Sequence, residues 1–218
     1  MGNTLRRRGF RRWLFLPPVN LPRRMWAGGH VEFHRPLQIG DQVTRQSRIA
    51  DISVKEGRSG PLVFLTITHE LETTRGVAMT EVQNIVYCRV RQPSALTRAP
   101  LDYTFAREIA PDPVLLFRYS ALTFNAHRIH YDRAYATDAE GYPGLVVQGP
   151  LVAQLLVDLL HRYKAHATLR RCAFKAVRPL FDTHQFLICG TADGAHTFTL
   201  WARDHEGLLA MQASAEID

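Results

Sequence analysis

Residues 120 to 132 read SALTFNAHRIHYD, a short run that places two histidines, an asparagine, an arginine and an aspartate within reach of one site. Imidazole titrates near neutral pH, so His130 can take up a proton and return it. The side-chain amide of Asn125 can hold a water molecule while that proton moves. Arg128 and the nearby Arg118 carry planar guanidinium groups, which grip a carboxylate or a phosphate through paired hydrogen bonds. His127 is expected to pack or hydrogen-bond, and Asp132 to cap a short helix that follows it. The histidines lack the spacing of metal ligands and no glycine-rich phosphate loop is present, so neither a metal nor a redox cofactor is expected.

Those residues need a scaffold, and hydrophobic pattern indicates one. Residues 28–90 hold runs rich in Val, Ile, Thr and Phe, broken by turn residues at Gly40–Asp41, Gly57 to Pro61 and Gly76. Leu62, Phe64 and Ile67 with intervening threonine suit half-buried antiparallel strands. Residues 92–113 contain four prolines and no clear period. The chain is accordingly divided into an N-terminal half, 1–95, with a basic tail at 1–16, a connection at 96–113, and a second half, 114–218, that carries the polar run. A strand is expected at VLLFRYS, residues 114–120. The longest helical signal follows, GPLVAQLLVDLLHRYKAH, with Leu151, Val152, Leu155, Leu156, Leu159 and Leu160 at three- and four-residue spacing and Pro150 in the first turn. Three more strands are expected after it.

Composition limits the partners. The 218 residues are 46% hydrophobic and 22% charged, an ordinary globular balance. The net charge of +7 owes much to Arg6, Arg7, Arg8, Arg11, Arg12, Arg23 and Arg24. Such a basic end attracts anions, although residues 1–12 read as a solvated tail. The apolar run Trp13 to Leu16 stops at Pro17–Pro18, too short for a secretion signal, and no other run approaches a membrane span. There is no zinc spacing, aromatic ribonucleoprotein signature or recognition helix to suggest nucleic-acid binding. Cys88, Cys172 and Cys189 are odd in number and widely spaced, as small core residues of a reducing compartment would be. A cytoplasmic protein is expected.

The run FNAHRIHYD, the turn GYPGLVVQG and the helix and strands after them resemble the MaoC-like dehydratases. In that family's hydratase motif an aspartate precedes a histidine by five residues; here Asn125 and His130 hold those positions, with Ile129 before the histidine. FRYSALTFNAHRIHYD, together with FLPPVNLPRRMWAGG upstream, is similar to the hydroxyacyl-thioester dehydratase type 2 branch, over about residues 15 to 218. The resemblance implies an α+β double hot dog fold, antiparallel sheets wrapping a long central helix in the C-terminal half. No comparable helix is evident in the first half, so part of its apolar face is left for a partner chain, and a homodimer is expected.

The resemblance also implies an activity. Adding water across a double bond conjugated to a thioester requires a base for the water, an acid for the α-carbon and donors for an enolate-like oxygen. His130 is assigned the proton transfers, Asn125 the water, and the Gly149 N–H at the start of the long helix the thioester oxygen. Val146 and Val147 line an acyl pocket or fill core, and Gln148 adjoins the oxygen site. Arg118 or Arg128 would hold a free carboxylate or the coenzyme A phosphates. Arg23, Arg24 and Trp26 would form a cofactor-binding rim, the tryptophan stacking on adenine. Coenzyme A enters only as part of the substrate, an acyl-CoA such as mesaconyl-C4-CoA or itaconyl-CoA. Dehydration of 3-hydroxyacyl thioesters in fatty acid synthesis is the alternative. A thioesterase on the same fold is disfavoured by the missing carboxylate at 125, and a non-catalytic acyl-CoA-binding subunit by the retained His130.

Overall fold

The computed structural model describes residues 15–57, 60–89 and 96–218. The basic tail up to residue 14 lies outside the described residues. The first half supplies four long strands, β1 (Arg23–Phe33), β2 (Thr44–Gly57), β3 (Gly60–Thr73) and β4 (Gly76–Cys88). The inward face of β3 carries Leu65, Ile67 and His69, all buried, so Phe64 is on the opposite side from Ile67. Among the described residues no helix precedes residue 113. Leu16, Val19 and Leu21 instead pack on Leu65, Ile67 and Tyr87.

Two expectations about the middle of the chain are corrected. The connection contains a strand, β5 (Phe105–Ile109), which pairs with a later strand at the sheet edge. Residues 114–120 are not a strand; they lie in a helix, α1 (Pro113–Leu122). Seven apolar-rich residues do not separate the two periods. The decisive signals lie just before them: the Asp112 carboxylate accepts the Leu115 N–H at 2.8 Å, and Pro113 stands in the first turn. Leu116 and Ser120, one turn apart, are the buried face.

The second half holds α2 (Gly149–Tyr163) and four strands where three were expected: β6 (Leu169–Ala176), β7 (Phe186–Ala192), β8 (Thr197–Arg203) and β9 (Leu209–Ile217). A turn at residues 204–207 splits the last expected strand in two, with the Asp204 carboxylate accepting N–H groups of Glu206 and Leu208. In β9, Met211, Ala213, Ala215 and Ile217 are buried while Gln212, Ser214 and Glu216 are exposed, the period-two pattern of a strand with one covered face. On α2, Leu156 and Leu160 are fully buried, and the helix packs against β1, β5, β7, β8 and β9.

The strands were expected as two sheets. They form one antiparallel sheet in the order β2-β3-β4-β1-β6-β9-β8-β7-β5. Strand β1 joins the halves, pairing with β4 on one side and β6 on the other. Gly28 makes this possible at a register shift after Trp26: with φ of 144°, a Cβ there would meet the Phe174 carbonyl oxygen at 2.1 Å.

Candidate active site

The polar run leaves α1 through Thr123 and Phe124. Phe124 has a φ of 52°, a left-handed conformation costly for a residue with a side chain, and it turns the backbone into the site. The Asn125 N–H is held by the Ser120 carbonyl at 2.8 Å, and Asn125 Oδ1 accepts the His127 N–H at 3.2 Å. With its oxygen engaged, Asn125 has its amide N–H groups left to donate. A single turn at Arg128–His130 then carries Ile129 and His130 into the interior.

His130 is only 8% exposed, and its Nδ1 lies 2.7 Å from the Val146 carbonyl oxygen. A carbonyl can only accept, so Nδ1 holds the proton and Nε2 is the bare, basic nitrogen. Burial pushes the His130 pKa down from 6.5 to about 4; the Val146 carbonyl opposes the shift and neighbouring His127 adds to it. The His127 ring stands edge-on at 5.5 Å, its own pKa lowered by burial and by Arg24. Both imidazoles are neutral at physiological pH.

The loop before α2 is fixed at nearly every residue. Leu145 N–H donates to the Asp182 carboxylate (2.9 Å), Val146 N–H to Ile129 (3.0 Å) and Val147 N–H to Leu180 (2.9 Å). Gln148 is wholly buried, its Nε2 donating to the Leu116 carbonyl and the Ser120 hydroxyl, both at 2.9 Å. Gly149 opens α2, where N–H groups lack carbonyl partners within the helix and carry partial positive charge. Pro150 has no N–H, so Gly149 and Leu151 supply the first donors.

A cavity of about 910 Å³ brings most of these groups together: Asn125, His127, His130, Val146, Val147 and Gly149 line it, with Arg23, Arg24 and Trp26 from β1. Three expected substrate contacts are corrected. Gln148 is taken up by α1 and does not reach the cavity. Arg118 is exposed on the outer side of α1. Arg128 pairs with Asp132 at 2.6 Å and lies over the Tyr135 ring, also away from the cavity. Asp132 caps the next turn by accepting the Tyr135 N–H at 3.0 Å. Trp26 lines the cavity, but its ring packs on Gly149 and leans on Phe174 at 6.5 Å, a wall rather than an outer rim. Arg23 is paired with Glu140 at 3.0 Å.

The cavity also holds residues that the sequence pattern did not single out. Tyr119 reaches it from α1, its hydroxyl pushed up to about 12 by burial and then by Glu81. Recognising α1 as a helix would have suggested it, since Tyr119 lies one residue from buried Ser120 and one turn from Leu115. Ser47 and His69 left no local signal, because strand pairing across the chain brings them in; Asp182, which holds the Leu145 N–H from outside the cavity lining, left none either.

This sheet wrapped on a buried helix is the fold of the MaoC-like dehydratases. The chain matches the MaoC-like dehydratase of Phytophthora capsici with a TM-score of 0.72 at 16% identity, covering 94% of this chain and 76% of that one. HtdX of Mycobacterium tuberculosis gives 0.70 at 19% identity, covering 88% and 76%. An acyl-ACP thioesterase of Bacteroides thetaiotaomicron matches at 0.58 and 8% identity, covering 89% and 76%, so architecture alone does not choose the reaction. Sequence does. Residues 6–182 match the hydroxyacyl-thioester dehydratase type 2 family, and the chain belongs to it. The mesaconyl-C(4)-CoA hydratase of Chloroflexus aurantiacus is 43% identical over 207 residues, covering 93% of this chain and 73% of that protein. The mitochondrial hydroxyacyl-thioester dehydratase type 2 of Schizosaccharomyces pombe is 27% identical, covering 81% and 67%. The chain is an enzyme of the hydratase and dehydratase type, a carbon–oxygen lyase.

Proposed function

We propose that the enzyme reversibly adds water to an enoyl-CoA thioester bearing a short dicarboxylic or branched acyl group, with mesaconyl-C4-CoA the first candidate and itaconyl-CoA the second. The observation that carries the reading is His130, held by the Val146 carbonyl so that a bare Nε2 remains in a cavity lined also by Asn125 and Gly149. Likeness to the Chloroflexus hydratase supports the acyl group.

In this scheme water lies between the Asn125 amide, which donates to its oxygen, and His130 Nε2, which accepts its proton. The water oxygen bonds to the β-carbon, and the π electrons move through the α-carbon onto the thioester oxygen, stabilised by the Gly149 N–H. The imidazolium then returns its proton from Nε2 to the α-carbon, the thioester carbonyl re-forms, and the histidine is neutral again. A buried imidazolium is costly in the empty cavity, but the enolate charge formed beside it offsets that cost.

Dehydration of a 3-hydroxyacyl thioester is the same sequence reversed, and the name of the yeast relative favours it as the second reading. We further infer a double hot dog whose first half has no central helix among the described residues, acting as a cytoplasmic homodimer. Exposed Ile52 and Val54 on edge strand β2 support a partner chain there.

The test is conversion of mesaconyl-C4-CoA, itaconyl-CoA and crotonyl-CoA by the wild type and His130→Ala. The expected result is hydration of at least one thioester and a loss of roughly a hundredfold or more in the variant. Release of free coenzyme A without hydration would replace this reading with hydrolysis.

A further inference from the structure

Core packing does not account for Gln148. The side chain is fully buried, and buried Val147, Leu151 and Val152 flank it in sequence. Its Nε2 donates to the Leu116 carbonyl and the Ser120 hydroxyl, both at 2.9 Å, but its Oε1 is buried with no hydrogen-bond partner among the described residues. A methionine of similar size would fill the space without leaving an acceptor unpaired. A buried amide satisfied at one end only is a local conflict of the kind that accompanies a working site.

The amide holds the end of α1. Ser120, itself 5% exposed, accepts the Gln148 amide at its hydroxyl, and its backbone carbonyl accepts the Asn125 N–H at 2.8 Å. On its other side Gln148 is joined by a peptide bond to Gly149, and its carbonyl accepts the Val152 N–H at 3.1 Å in the first turn of α2. These contacts belong to a closed ring. Asn125 Oδ1 accepts the His127 N–H, the His127 carbonyl accepts the His130 N–H at 3.3 Å, and His130 Nδ1 donates to the Val146 carbonyl. Two residues further on, Gln148 returns to Ser120. The short turn between Asn125 and His130 sets one spacing of the site, and the bond to Val146 a second. The third, from Asn125 to Gly149, runs through Ser120 and Gln148.

We propose that Gln148 is a positioning residue: acting through Ser120, it fixes Asn125 against the Gly149 N–H, and so the spacing between the attacking water and the thioester oxygen. This rests on the thioester-hydratase reading, which gives those roles to Asn125 and Gly149. Water must meet the β-carbon while the thioester oxygen stays on its donor, so a misplaced pair lowers kcat more than it raises KM.

The test compares Gln148→Met, Ser120→Ala and Asn125→Ala, singly and with each of the first two combined with the third. Each is assayed on the thioester that the wild type hydrates best, at a temperature where circular dichroism shows it folded. In Gln148→Met, kcat should fall roughly tenfold or more while KM changes less than about threefold. Ser120→Ala leaves the bond to Leu116 and should cost less. With Asn125 already removed there is no spacing to keep, and either change should then lower kcat by less than about threefold. Unchanged kcat in Gln148→Met, or an undiminished loss in the Asn125→Ala background, overturns the proposal. If Gln148→Met does not fold, the Ser120→Ala pair makes the same comparison. Amide hydrogen exchange reads the tie without turnover: the Asn125 N–H should exchange roughly tenfold or more faster in Gln148→Met. An unchanged rate there, with faster exchange confined to α2, would make Gln148 a packing residue and overturn the proposal. If the wild type hydrates nothing, the hydratase reading falls, and the exchange rate still decides whether Gln148 holds Asn125.

Discussion

The Trp26 ring and the Gly149 backbone are in contact so close that a Cβ on Gly149 would come 2.8 Å from Trp26 Cε3 and 3.3 Å from Cζ3. A residue of the sheet junction thereby bears on the first turn of α2. Gly149→Ala must displace the ring or the first turn of α2, at a cost of about 1–3 kcal/mol. The variant is expected to lose that stability in urea and at least tenfold in rate. Trp26→Phe in the same background should restore part of the stability. Unchanged stability and rate in Gly149→Ala would mean that the contact yields freely.

The pH dependence of kcat/KM reports the free enzyme. Burial holds the His130 pKa at about 4, so the basic form persists well below the usual imidazole range. The acid limb should fall near pH 4, with a flat rate from pH 7 to 5.5. An inflection near 6.5 would mean that a solvated group controls the proton transfer.

Asn125→Asp keeps the acceptor for the His127 N–H and places a carboxylate in the cavity. A nearby negative charge favours imidazolium, so the acid limb should move up, by about one pH unit or more. The amide donor is lost, and kcat at pH 7 should fall about tenfold or more. A variant with an unmoved acid limb would show that residue 125 and His130 are not electrostatically coupled.

The same histidine links pH to stability. Its folded pKa lies below the unfolded value of 6.5, so the unfolded chain binds the extra proton first. Stability is fully present above pH 6.5, is lost as pH falls towards 4, and changes no further below that through this group. The loss across the window is about 3 kcal/mol. Lowered His127 acts in the same direction. Urea denaturation at pH 7 and 4.5 should show the drop in wild type and a smaller one in His130→Ala; equal drops would remove His130 as its source.

Much of the scaffold could be read from local pattern because its determinants are local. The spacing of Leu151, Leu155, Leu156 and Leu159 defines α2, and β-branched runs between glycine turns define β1 to β4. The motif residues Asn125, His130 and Gly149 could be picked out because they are contiguous or stand beside a helix start. Residues 114–120 misled because their periodicity was ambiguous and Asp112–Pro113 outweighed it. Arg118 went wrong with that strand, and Arg128 because its nearest anion was Asp132, one helical turn away. His69 and Ser47 could not be foreseen at all, since their pairing depends on the register of β2 against β3.

The seam at Gly28 has a consequence for inheritance. Strand β1 is encoded in the first half yet fills the gap beside β6 and supplies the wall on which α2 starts. The second half, although it holds the whole histidine motif, is therefore not a portable cassette: a gene fragment beginning after residue 95 would encode the candidate catalytic residues without the strand that closes their sheet. The two halves must be copied, kept and folded as one unit.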